Sequence, residues 1–166
     1  MKILIVEDNP VHIEAAEKQL GDEHELVFAK CVADLTEKKV TYGVEFDVIL
    51  TDVNIPVGNL SFIESKHQNA DSIVAGGLVV ALWARNKEIP CAIVTDANSH
   101  HDVMGILLDK YAPFPGTFFE CNLRDDKVKC AFGSNTRPCK PGDPDKKGKD
   151  WVGTLHELLK YKEAIE

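Results

Sequence analysis

The sequence predicts an α/β protein: a doubly wound parallel sheet with helices on both faces. Three observations carry this expectation. Apolar runs of strand length, KILIV, FDVIL and CAIV among them, lack the alternation of a half-exposed strand. Segments with helical character separate these runs, the pattern of β-α-β crossovers, which should be right-handed. Three of the runs stop abruptly on polar side chains, at Glu7, Asp52 and Thr95.

The first strand is read over residues 2–6, continuous, rich in branched side chains and bounded by polar turn residues. A helix follows from Pro10 to Leu20, since proline suits a first helical turn and Gly21 suits a C-terminal stop. Glu25 to Cys31 is a second strand and Val32 to Lys39 a short second helix. Phe46 to Thr51 forms a third buried strand that ends on Asp52. An apolar helix spans Val74 to Arg85, with Gly76-Gly77 near its start, and Cys91 to Thr95 is a fourth strand. A polar stretch leads to a helix over about 101–111. In the last helix, Trp151 to Ile165, the residues Trp151, Val152, Leu155, Leu158, Leu159 and Tyr161 repeat at helical spacing. Two stretches exceed the usual connections, about 57–73 and about 112–140, and the second is read as an inserted hairpin.

With 166 residues the chain suits one domain, 1–166, with a core of useful size. A net charge of -8 excludes direct nucleic-acid binding, which needs clustered Lys and Arg against phosphate. The one basic cluster, Lys146-Lys147-Gly148-Lys149, is interleaved with Asp143, Asp145 and Asp150 and reads as a solvated loop. No leader pattern is visible, and no apolar run approaches the roughly 20 residues of a membrane span. A cytoplasmic setting and reduced cysteines follow as expectations. Cys121, Cys130 and Cys139 recur every nine residues, a spacing foreign to paired zinc motifs, and read as ordinary thiols.

In a parallel α/β sheet, ligands bind at the carboxyl ends of the strands. Glu7, Asp8 and Asp52 should meet at that edge, with Thr95 beside them. Three carboxylates repel one another unless a cation joins them, and hard oxygen ligands with room for water suit Mg2+. Such an ion next to a phosphoryl oxygen would offset charge during phosphoryl transfer. The bland alternative is that Asp8 merely caps the helix beginning at Pro10.

Taken together, MKILIVEDNP, FDVILTDVNIP, IPCAIVT and a late Cys139-Lys140-Pro141 resemble the receiver domain of two-component response regulators. The resemblance implies a flavodoxin-like (CheY-like) sheet of five strands in the order 2-1-3-4-5. It implies Mg2+ held by Glu7, Asp8, Asp52 and the backbone carbonyl of Asn54, with Pro56 closing the loop. Asp52 is then the phosphoacceptor, Thr95 the switch hydroxyl, and Lys140 the lysine that pairs with the phosphoryl group, Lys129 being the other candidate. The implied partners are a histidine kinase or phosphotransfer protein and a downstream protein contacted by the outer face. Output by protein contact is expected because the chain ends soon after its final helix.

Three features depart from that family's pattern. Asp52 and Thr95 are 43 residues apart, an excess assigned to 57–73. Position 96 is Asp where a small residue is usual. Thr95 and Lys140 are 45 residues apart, and Arg137-Pro138 stands where an aromatic often precedes the lysine. These departures favour a rival reading, a pseudo-receiver that binds proteins without being switched by phosphate. A Mg2+-dependent phosphohydrolase is a third reading, weakened by Asn54 standing where a general acid would be needed.

Overall fold

Strand β1 (Lys2–Val6) is apolar from Ile3 onward because helices cover both of its faces. Ile3 and Ile5 point to one layer, and Leu4 and Val6 to the other. The computed structural model describes residues 1–37, 45–58, 73–94 and 148–163. Along them β1 is followed by α1 (Pro10–Leu20), β2 (Glu25–Ala29), α2 (Val32–Glu37), β3 (Val48–Thr51), β4 (Ile55–Pro56), β5 (Ile73–Val74), α3 (Gly76–Asn86), β6 (Cys91–Ile93) and α4 (Trp151–Glu163).

The main sheet has the order β2-β1-β3-β6, all parallel. One layer packs Ile3, Ile5, Val48, Leu50, Ala92 and Val94 against Ala15, Ala16 and Leu20 of α1 and Trp151, Leu155 and Leu158 of α4. The other packs Leu4, Val6, Ile49 and Ile93 against Val80, Ala81 and Ala84 of α3, with Val32 and Leu35 of α2 at its margin. Helices on both faces are what continuous apolar strands require, and the doubly wound expectation holds for these four strands. A fifth strand, the helix over 101–111, the stretch 112–140 and its three cysteines lie outside the described residues. No helix among the described residues is long and apolar enough to cross a membrane.

Local chemistry sets the helix ends. Asn9, not Asp8, caps α1: its side-chain oxygen accepts the Val11 N–H at 3.0 Å, and Pro10 occupies the first turn. The capping role considered for Asp8 therefore falls away. At the start of α3, Gly77 lies so close to β3 that a Cβ there would stand 1.9 Å from the Asp52 carbonyl oxygen, while its N–H donates to Val53 O at 3.1 Å. Only glycine allows this approach.

Several boundaries shift from the sequence reading. The second strand stops at Ala29, the third starts at Val48, and α3 starts at Gly76 rather than Val74. Ile73–Val74 pairs antiparallel with Ile55–Pro56, so the flanks of the long excursion after Asp52 form a small two-stranded ribbon. Strand pairing satisfies backbone groups that a helical start at Val74 would leave open. Residues 59–72 of that excursion are outside the described residues.

Candidate functional site

Register brings the acidic residues together. Val6 is opposite both Ala29 and Thr51, so Glu7 and Asp52, each one position further on, emerge side by side at the carboxyl edge. Backbone hydrogen bonds continue the ladder there: Glu7 N–H donates to Ala29 O at 3.0 Å, Asp52 N–H to Val6 O at 2.8 Å, and Val94 N–H to Thr51 O at 2.8 Å. Carboxylate oxygens of Glu7, Asp8 and Asp52 lie within 4.8 Å of one another.

Glu7 is 1% exposed and Asp52 7%, whereas Asp8 is half-buried. Each buried carboxylate is held by a nearby N–H. Glu7 Oε1 accepts from Asn9 N–H at 3.0 Å, and Asp52 Oδ1 accepts from Val53 N–H at 2.8 Å. A lysine supplies the charge balance. Lys149 Nζ donates to Glu7 Oε2 at 2.5 Å and stands 3.0 Å from Asp52 Oδ1, with its side chain only 2% exposed. Burying an ammonium is costly unless it is paired, and two carboxylates pair it here. Burial pushes the Glu7 carboxyl above its ordinary range; the Lys149 ammonium pulls it back and the Asp52 charge pushes it further up, leaving a net rise.

At Lys149 the sequence reading of a solvated loop is corrected, while Lys146 and Lys147 lie outside the described residues. Lys149 stands just before α4, where the helix dipole disfavours a cation, and that placement was a readable sign of a partner elsewhere. The flanking Asp143, Asp145 and Asp150 hid it by making the cluster look self-neutralised. Lys140 and Lys129, the lysines expected at the phosphoacceptor, lie outside the described residues. Among the described residues, the lysine at Asp52 is Lys149, and it is followed by Asp150 rather than proline. Thr95 and Asp96 also lie outside the described residues. Asn54 sits half-buried in the link from Asp52 to β4.

The donor set fits a hard divalent cation. Three carboxylates face one ammonium, which leaves excess negative charge. Oxygens around one Mg2+ at about 2.1 Å stand about 3 Å apart when adjacent and about 4.2 Å when opposite. With their oxygens within 4.8 Å of one another, the three carboxylates are close enough to share one such ion after small side-chain adjustment.

Solved response regulator receiver (CheY-like) domains, which share a doubly wound parallel sheet, are similar to this chain in fold. The N-terminal domain of a response regulator/sensory box/GGDEF 3-domain protein from Carboxydothermus hydrogenoformans is 16% identical, matches over 100% of both chains and has a TM-score of 0.54. A CheY-like receiver domain protein from Methanospirillum hungatei is 15% identical over 99% of this chain and 98% of its own, with a TM-score of 0.52. The non-phosphorylated HemR receiver domain of Leptospira biflexa is 16% identical over 95% and 93%, with a TM-score of 0.51. No protein-family profile and no curated protein sequence matches the chain.

Proposed function

We propose that this chain is a response-regulator receiver that accepts a phosphoryl group on Asp52. The donor is a histidine kinase or phosphotransfer protein in the cytoplasm, and the output is a change in protein contacts. The observation that carries the reading is the position of Asp52: at the end of a central strand, beside Glu7 and Asp8, with the Lys149 ammonium 3.0 Å from its Oδ1.

Asp52 Oδ1 is held by Val53 N–H and Lys149, which leaves Oδ2 as the nucleophilic oxygen. Oδ2 forms a bond to phosphorus as the donor's bond to phosphorus breaks, and the donor leaves with that electron pair. Lys149 is placed to neutralise phosphoryl oxygens that arrive at Asp52. Glu7, Asp8, Asp52 and the Asn54 carbonyl would hold Mg2+, which when bound offsets charge on the transferring group. Thr95 as the switch hydroxyl and Lys140 as a second lysine toward the phosphoryl group belong to the same proposal.

A second reading is favoured by one observation: Lys149 already ion-pairs with both Glu7 and Asp52, so the two buried carboxylates of the edge have a cation within the protein itself. A pseudo-receiver that binds partners without phosphate would need nothing more. Incubation with acetyl phosphate and Mg2+, followed by intact mass, separates the two. Gain of one phosphoryl group, lost in Asp52→Ala, supports the receiver; an unchanged mass supports the pseudo-receiver.

A further inference from the structure

The ammonium of Lys149 is set by a segment with no regular structure of its own: Gly148, Lys149 and Asp150 precede the first turn of α4. Something must fix this backbone, because a four-carbon stem on a loose loop would not keep its ammonium between two carboxylates. The fixing contacts come from α1. Gln19 Nε2 donates to Lys149 O at 2.9 Å, and Gln19 Oε1 accepts from Trp151 N–H at 2.8 Å and Val152 N–H at 3.2 Å. One carboxamide thus brackets Asp150, its donor on the carbonyl just before that residue and its acceptor on the two N–H groups just after it.

Two neighbours steady the same segment. The fully buried Trp151 indole donates to His12 O at 2.9 Å, and its ring lies 5.7 Å from Lys149 Nζ. Gly148, at φ 124°, passes so close to α1 that a Cβ there would stand 2.5 Å from Ala15 Cβ.

We propose that Gln19 is the positioning residue of the acidic site: its carboxamide clasps residues 149–152 onto α1 and so holds the Lys149 ammonium against Glu7 and Asp52. The consequence for phosphoryl acceptance rests on the receiver reading, but the clasp itself does not.

The test uses the full chain labelled with ¹⁵N-lysine. A buried, hydrogen-bonded ammonium gives a slowly exchanging signal, assigned to Lys149 by its loss in Lys149→Met. Gln19→Glu keeps the acceptor for the two helix N–H groups but puts an oxygen against Lys149 O. It is expected to speed ammonium exchange about tenfold, the factor that corresponds to about 1.4 kcal/mol of lost hydrogen bonding. Gln19→Ala is expected to do the same and to melt earlier. Asp150→Ala removes the other acceptor at this helix end, the one that takes Gly153 N–H at 2.9 Å. It should lower the melting temperature without changing the Lys149 signal.

Unchanged exchange in both Gln19 variants overturns the proposal, and so does equal acceleration in Asp150→Ala, since any weakening of α4 would then suffice. Labelling by acetyl phosphate is measured alongside. Slower labelling of Gln19→Glu than of wild type carries the clasp into phosphoryl acceptance, whereas equal rates overturn that role. If wild type takes up no phosphate, the receiver reading fails and the ammonium signal still decides the clasp.

Discussion

Replacing Lys149 with Met keeps most of the stem volume and removes the charge. Glu7 and Asp52, 1% and 7% exposed, then lose the one cation that pairs with them among the described residues. Breaking a buried ion pair by removing one partner costs about 3–5 kcal/mol. For a chain of this size each kcal/mol lowers the melting temperature by about 2–4 °C, so a drop of about 6–20 °C is expected at pH 7.

The pH dependence is the sharper part of the expectation. Burial raises the Glu7 carboxyl above its ordinary 4.5, so the folded state binds that proton more tightly than the unfolded chain does. Its contribution to stability is fully present below about 4.5 and is lost as pH rises through the raised value. Lys149 pulls that value down, and without it the value climbs further. The deficit of Lys149→Met relative to wild type should therefore be largest near neutral pH and shrink as pH falls toward 4.5. Melting followed by circular dichroism across this range, in chelator, measures it. A variant that melts within about 2 °C of wild type at pH 7, or a deficit that is constant with pH, would refute the buried ion-pair argument.

Three further outcomes are expected. Gly77→Ala forces a methyl group into the Asp52 carbonyl, 1.9 Å away, and should destabilise the fold by about 1–3 kcal/mol in urea denaturation; an unaffected midpoint would mean that α3 does not press on the Asp52 backbone. Trp151→Phe leaves the buried His12 carbonyl without its indole donor and should cost about 1–3 kcal/mol, read by the same denaturation. Mg2+ at about 100 times its dissociation constant should stabilise the chain by about 2.7 kcal/mol. That gain should fall in Asp8→Asn, because among the described residues Asp8 is the one carboxylate of the cluster without a lysine partner; an equal gain in the variant would place the ion elsewhere.

The fold was legible because its signals are local. A strand buried on both faces must be apolar throughout, so KILIV and VILT announce themselves, and parallel pairing of such strands in register places the residues that follow them at one edge. Glu7, Asp8 and Asp52 could be assigned to that edge from the sequence for this reason. The β4–β5 ribbon was not legible, since two-residue strands carry no periodicity and are defined only by their partner. Helix α3 beginning at Gly76 follows from the same pairing.

What the sequence by itself determined is the layered sheet and its acidic edge, both consequences of hydrophobic patterning and strand period. What only the tertiary structure decided is the cation. Lys149 is 142 residues from Glu7, and Gln19 is 130 residues from the carbonyl that it holds. In the sequence Lys149 stands among aspartates and looks hydrated; in the fold, α4 packs beside α1 and carries it under the sheet edge. There its charge is satisfied by Glu7 and Asp52 because burial makes the unpaired alternative too costly.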